Sequence, residues 1–151
     1  MQPISFVCSN DWVSAGKRVL AVDYGTRNIG LACSDELGLT VQPLPSVPNS
    51  GRKDLVKRLR TIIDSLGVQE LVLGMPVNMD GTQGDSFLRM EQLMLVLRNS
   101  LKIATTGVDE RLSTVEALEF WKGMSPRRQK KYRTVDSLAA ALILERYLKE
   151  K

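Results

Sequence analysis

RVLAVDYGTRNIGLACS, residues 18–34, decides how the rest of the chain is read. Arg18 to Asp23 is a short apolar strand, and Ile29 to Ser34 is a second. Leu39 to Val41 starts a third strand after a turn near Glu36 to Gly38. The short spacing makes the three an antiparallel meander. Pro43, Pro45 and Pro48 then mark an irregular connection. Folding alone explains Asp23 poorly, because an ionised carboxylate at the end of a buried strand needs a partner or a metal ion.

Outward from the meander, the pattern becomes helical. Lys53 to Leu66 places Leu55, Val56, Leu59, Ile62, Ile63 and Leu66 on one face, and Gly67 ends the helix. Leu71 to Leu73 is a buried strand closed by Gly74, Met75 and Pro76. A polar loop, Asn78 to Gly84, leads to a helix with Phe87, Met90, Leu93, Met94 and Leu97 on one side. Ile103 to Val108 is the fifth strand. Ser113 and Glu116 form an S-x-x-E capping box opening a helix to about Trp121. Thr134 caps the last helix, whose stripe is Val135, Leu138, Ala139, Leu142 and Ile143. The order βββαβαβαα predicts an α/β domain: a mixed five-stranded sheet with helices on both faces.

A chain of 151 residues with 43% hydrophobic content forms one compact domain. We assign it to residues 18–151 and read 1–17 as a flexible N-terminal extension without the order of a signal peptide. No stretch approaches membrane-span length, so no membrane partner is expected. Two cysteines without a CxxC pair fit a reducing cytoplasm. Histidine is absent, which excludes Ser/His triads and histidine-based acid–base work.

Asp23 is one of three aspartates in telling positions. Asp109 ends the fifth apolar run (GVDERLST), and Asp136 sits in the first turn of the last helix (TVDSLAAALIL). Brought together, the three would repel one another unless one or two divalent cations neutralised them. Mg²⁺ or Mn²⁺ suits such all-oxygen ligands. The net charge of +4 is mild, but Lys122, Arg127, Arg128, Lys130, Lys131 and Arg133 fall in one stretch without an acid. A basic patch near a carboxylate cluster suits a polyanionic substrate. The residues therefore predict a metal-dependent nuclease.

Four motifs occur in order: D-x-G-x-x-x-I-G at Asp23, Gly25, Ile29 and Gly30; G-M-P at Gly74 to Pro76 with N-M-D-G-T after it; D-E-R-L-S-T at Asp109 to Thr114; and V-D-S-L-A-A-A-L-I-L at Val135 to Leu144. With them the chain resembles the YqgF family, bacterial Holliday junction resolvases now usually described as pre-16S rRNA nucleases, of the RNase H-like fold. The resemblance covers about residues 18 to 149. It implies 5′-end processing of pre-16S rRNA in ribosome biogenesis. It also implies that Asp23 and Asp109 meet at adjacent strand ends, with Asp136 reaching in from the last helix to help clamp two ions. Two departures stand out. Asn28 occupies the family's usual basic position, with Arg27 one place earlier, and Met75 replaces the commoner leucine.

Further substrate contacts are expected from Gly25, Arg27, Asn78, Arg111, Arg127, Arg128, Lys130 and Lys131. Each has a plainer alternative. Gly25 and Gly30 relieve a turn or admit a phosphate to the backbone, the turn being favoured. Arg111 contacts phosphate or pairs with an acid. Glu110 supports the carboxylates or is structural, and Thr114 is better explained by capping. Tyr132 or Trp121 would stack on an unpaired base, unless the basic run is only a solvated face.

Four functions compete: an RNA nuclease; a DNA junction resolvase, which would need a homodimer; a non-catalytic nucleic-acid-binding factor; and an actin/Hsp70/sugar-kinase ATPase. The last needs a second domain, for which 151 residues leave no room.

Overall fold

The computed structural model describes residues 17–76, 82–109 and 113–150. Residues 1–16 and the expected site residues Asn78, Glu110 and Arg111 lie outside them, as does the side chain of Thr114. Lys17, grouped above with the extension, donates its N–H to the Glu36 carbonyl (2.9 Å).

The meander forms as expected: β1 (Arg18–Tyr24), β2 (Asn28–Ser34) and β3 (Val41–Pro48) pair antiparallel. β3 corrects one expectation. Pro43, Pro45 and Pro48 belong to a strand rather than an irregular connection. The sheet order β3-β2-β1-β4-β5 puts β3 at an edge. An edge strand bonds on one side only, so residues without an N–H are tolerated there. The register shift between Ile29 and Leu31, opposite this segment, absorbs the irregularity.

α1 (Arg52–Leu66) crosses to β4 (Val68–Met75), which lies parallel beside β1, and α2 (Asp85–Leu101) crosses to β5 (Ala104–Asp109), parallel beside β4. α3 (Ser113–Gly123), α4 (Pro126–Tyr132) and α5 (Val135–Lys149) complete the chain. α4 was not expected. Ser125 accepts the Arg128 N–H on its Oγ (3.3 Å) and Pro126 occupies the first turn. Seven residues without a buried member leave no apolar period to detect.

Alternation splits the sheet's side chains between two cores. Leu20, Val22, Leu71 and Leu73 pack with Leu55, Leu59, Leu93 and Leu97 of α1 and α2. Val19, Ala21, Ala32, Val72 and Val108 pack with Ala140, Ala141, Ile143 and Leu144 of α5. The far side of α5 carries Leu138 and Ala139 against Ala117 of α3. α5 is thus buried on two sides, and its alanines keep it close to the sheet.

Candidate active site

The same alternation decides which way Asp23 faces. Val19 and Ala21 lie on the α5 side of β1, so Asp23 does too. The start of α5 brings Asp136 to the same place. Thr134 Oγ1 accepts the Ser137 N–H (3.1 Å), the expected N-cap, and this places Asp136 in the first turn. Ser137 Oγ donates to the Leu44 carbonyl and ties that turn to β3.

Gly30 makes the approach possible. It is the register partner of Asp23 on β2, and a Cβ there would lie 1.9 Å from the Asp136 carbonyl oxygen and 2.4 Å from its carbon. Gly30 therefore neither relieves a turn nor opens room for phosphate. Its bare backbone seats the helix carrying Asp136 beside the strand carrying Asp23.

Gly25 keeps its turn role. Its N–H donates to the Asn28 carbonyl (3.1 Å), and a Cβ there would lie 2.4 Å from that oxygen. Asn49, which no motif singled out, holds this turn from beneath. Its Nδ2 donates to the Gly25 carbonyl (2.8 Å), its N–H to the Arg27 carbonyl (2.8 Å), and its Oδ1 accepts from Gly51 N–H (3.2 Å). Only the fold brings residue 49 to residue 25. The Asn49 Oδ1 also accepts from the Tyr24 hydroxyl (3.4 Å), so Asn49→Ala is expected to cost about 1–3 kcal/mol, the net worth of its part-exposed side-chain hydrogen bonds, read as a lower denaturation midpoint. An unchanged midpoint would show the turn to be self-supporting.

Asp23 and Asp136 line one cavity of ≈ 400 Å³, with Gly25, Thr26, Arg27 and Asn28 along its rim. Arg27 borders the acids although it stands one place earlier than the family's basic residue. Burial pushes the Asp136 carboxyl above its ordinary range. Holding an anion there is unfavourable by itself. Two such oxygen donors, one of them desolvated, suit a hard divalent cation.

Asp109 lies elsewhere. β4 intervenes between β1 and β5, so Asp23 and Asp109 do not end adjacent strands. With strands about 4.8 Å apart, their backbones stand about 10 Å apart. Asp109 is exposed, its register partner is Met75, and it lines a separate cavity with Arg146 and Tyr147. Its carbonyl accepts from Arg146 (3.0 Å), which also pairs with Glu116 (2.8 Å). Among the described residues, no three Asp, Glu, His or Cys side chains are grouped to hold a metal ion.

The basic run is split between the end of α3 and α4. Arg127, Arg128, Lys130 and Lys131 are exposed, and none lines the cavity of Asp23 and Asp136. Trp121 and Tyr132, one or other of which was expected to stack on a base, are partly buried and pack against Ala117, Leu138 and Ala139. Their rings secure α3 and α4 to α5.

Comparison with known proteins adds the family. The family model RuvX, described as Holliday junction resolvase, matches residues 17–150. A Geobacillus kaustophilus protein named "Putative pre-16S rRNA nuclease" is 41% identical over 89% of this chain and 99% of its own. A Carboxydothermus hydrogenoformans protein of the same name is 40% identical over 89% and 97%. The fowlpox virus Holliday junction resolvase, only 11% identical, aligns over 89% of this chain and 99% of its own with a TM-score of 0.52. That likeness shows the RNase H-like fold. With the D-x-G-x-x-x-I-G, D-E-R-L-S-T and V-D-S-L-A-A-A motifs inside the matched span, the chain belongs to the RuvX (YqgF) family.

Proposed function

We propose that this chain is a divalent-metal-dependent nuclease that hydrolyses phosphodiester bonds in RNA, with the 5′ end of pre-16S rRNA as its substrate in ribosome biogenesis. The observation that carries this reading is the pairing of Asp23 with Asp136 on one cavity beside Arg27. The names of the relatives from Geobacillus and Carboxydothermus support RNA as the polymer.

Mg²⁺ or Mn²⁺ would be held by Asp23 and Asp136, which share the cavity; the role of third ligand that its motif implies for Asp109 would require that carboxylate to reach in from the end of β5, two strands from Asp23. When bound, the ion supplies Lewis-acid stabilisation of charge on the phosphate and a more acidic water nucleophile, work that no histidine is present to do. Arg27 neutralises and orients the phosphate that approaches the two carboxylates. The Gly25 turn, pinned by Asn49, keeps the backbone of residues 25–28 in place around it. Asn78 and Arg111, with Arg127, Arg128, Lys130 and Lys131, extend the substrate contact. Glu110 and Thr114 steady the carboxylates. No helix of the described residues is long and apolar enough to cross a membrane, and we place the activity in the cytoplasm.

The family's description favours one second reading, cleavage of a DNA four-way junction by a homodimer. Purified protein, incubated with Mn²⁺ or Mg²⁺, separates the two on single-stranded RNA, a precursor-like rRNA end and a DNA junction. Cutting of RNA alone supports the processing nuclease. Symmetric paired cuts in the junction transfer the assignment to DNA, and binding without any cutting leaves a non-catalytic factor. Either ion at 100 times its Kd should stabilise the wild type by about 2.7 kcal/mol through linkage. An unchanged melting curve in millimolar metal would count against a site formed before substrate binds.

A further inference from the structure

The turn at Tyr24 to Thr26 has a cavity on each side. One holds Asp23 and Asp136; the other is a cleft of ≈ 450 Å³ between the turn, the start of α1 and the first turns of α2. Tyr24, Gly25 and Thr26 line both. The charges are opposite. Arg52 and Arg89 line the cleft and, among the described residues, no carboxylate does. Asp54, the acid nearest Arg52 in sequence, is engaged by Arg58 at 2.7 Å. Arg89 reaches Ser86 Oγ at 3.3 Å, so a guanidinium and a hydroxyl converge there.

Two further features favour an anion. The N-caps of α1 and α2 are Gly51 and Gly84, and neither helix start receives a side-chain cap. Each first turn carries one acid, Asp54 and Asp85, neither of which lines the cleft, and the helix dipoles favour negative charge at these ends. The floor is apolar, formed by Pro76, Met90 and Leu93 beside the Tyr24 ring. A ligand with an anionic group for the arginines and a flat apolar face for the floor is a nucleotide. The volume lies within the range of about 300–1,000 Å³ usual for small-ligand sites.

We propose that this cleft binds the RNA nucleotide next to the one at Asp23 and Asp136, its phosphate held by Arg52 and Arg89 and its base laid on the apolar floor. The inference rests on the nucleic-acid reading of the adjoining acid pair. It makes the Tyr24–Thr26 turn a divider over which the strand passes. The scissile phosphate lies on the acidic side, and its neighbour is anchored on the basic side.

The test measures binding of fluorescein-labelled single-stranded RNA by anisotropy in EDTA, between 50 and 200 mM salt. The proteins are wild type, Arg52→Ala/Arg89→Ala and Arg52→Lys/Arg89→Lys. The alanine pair is expected to bind about 10-fold more weakly, with a salt slope smaller by about 0.7 for one lost phosphate contact. The lysine pair should recover the slope. In a parallel titration with cytidine monophosphate, amide shifts should concentrate at Thr26, Ser86 and Arg89 of the wild type. An unaltered affinity or slope in the alanine pair overturns the proposal, and so do nucleotide shifts confined to other residues. No cleavage is scored, so an inactive protein that passes these tests refutes the nuclease and leaves the cleft. An active nuclease that fails them does the reverse.

Discussion

Asp23→Asn and Asp136→Asn are each expected to cut RNA cleavage by more than about 100-fold while leaving the protein folded. Loss of outer supports of a metal site already costs 10–100-fold, and these carboxylates are the proposed ligands themselves. Asparagine keeps the shape and one acceptor oxygen but removes the charge that attracts the cation. The stability side of the prediction has a definite sign at Asp136. Burial raises its pKa, so the ionised carboxylate is held at a cost in the folded chain without metal. The neutral isostere removes that cost, and the variant should unfold at the same denaturant concentration as the wild type or a higher one. Added Mn²⁺ should then stabilise the wild type and not the variant. Cleavage rates, denaturant midpoints and the metal response are read on the same preparations. Full activity in either variant would remove that residue from the site.

Gly30→Ala is expected to damage both the fold and the site, although it adds only one methyl group and removes no functional side chain. The added carbon would meet the Asp136 carbonyl, which is backbone and cannot rotate away. α5 would have to lift from the sheet, but it is packed against β1 and β2 on one side and α3 on the other. Overpacking costs about 1–3 kcal/mol where flexible side chains give way, and this collision belongs at or above the top of that range. For a chain of this size, a loss of about 3 kcal/mol lowers Tm by about 6–12 °C. Any displacement of α5 also separates Asp136 from Asp23, so residual activity in the folded fraction should fall further. A melting temperature within about 2 °C of the wild type, roughly the size of a 1 kcal/mol effect, would sink the idea.

The motifs around Asp23 and Asp136 were legible because their reasons are local. Strand alternation, the Thr134 cap and the spacing of apolar residues in α5 are set within a few residues of each acid. Asn49 was not legible, since apart from Gly51 its partners, Tyr24, Gly25 and Arg27, stand more than 20 positions away and only the folded turn collects them. The prolines of β3 misled for a related reason. Proline is excluded from a sheet's centre but tolerated at its edge, and whether a strand is an edge is a property of the whole sheet. α4 was missed because one exposed turn and a half has no buried face, leaving only the Ser125–Pro126 start to announce it.

By itself the chain determined the α/β class, the antiparallel meander followed by two crossovers, and the family. The class and the meander follow from periodicity, caps and turn chemistry, which act between neighbours in sequence, and the family from four motifs that occur in order. Only the tertiary structure decided which acids share a cavity. A one-dimensional motif cannot say that β4 is inserted between β1 and β5, so it made Asp109 a neighbour of Asp23 when a whole strand separates them. Nor can it say that the glycine opposite Asp23 touches the backbone of Asp136. That contact joins residues more than 100 positions apart, and close packing between strand and helix is what specifies it.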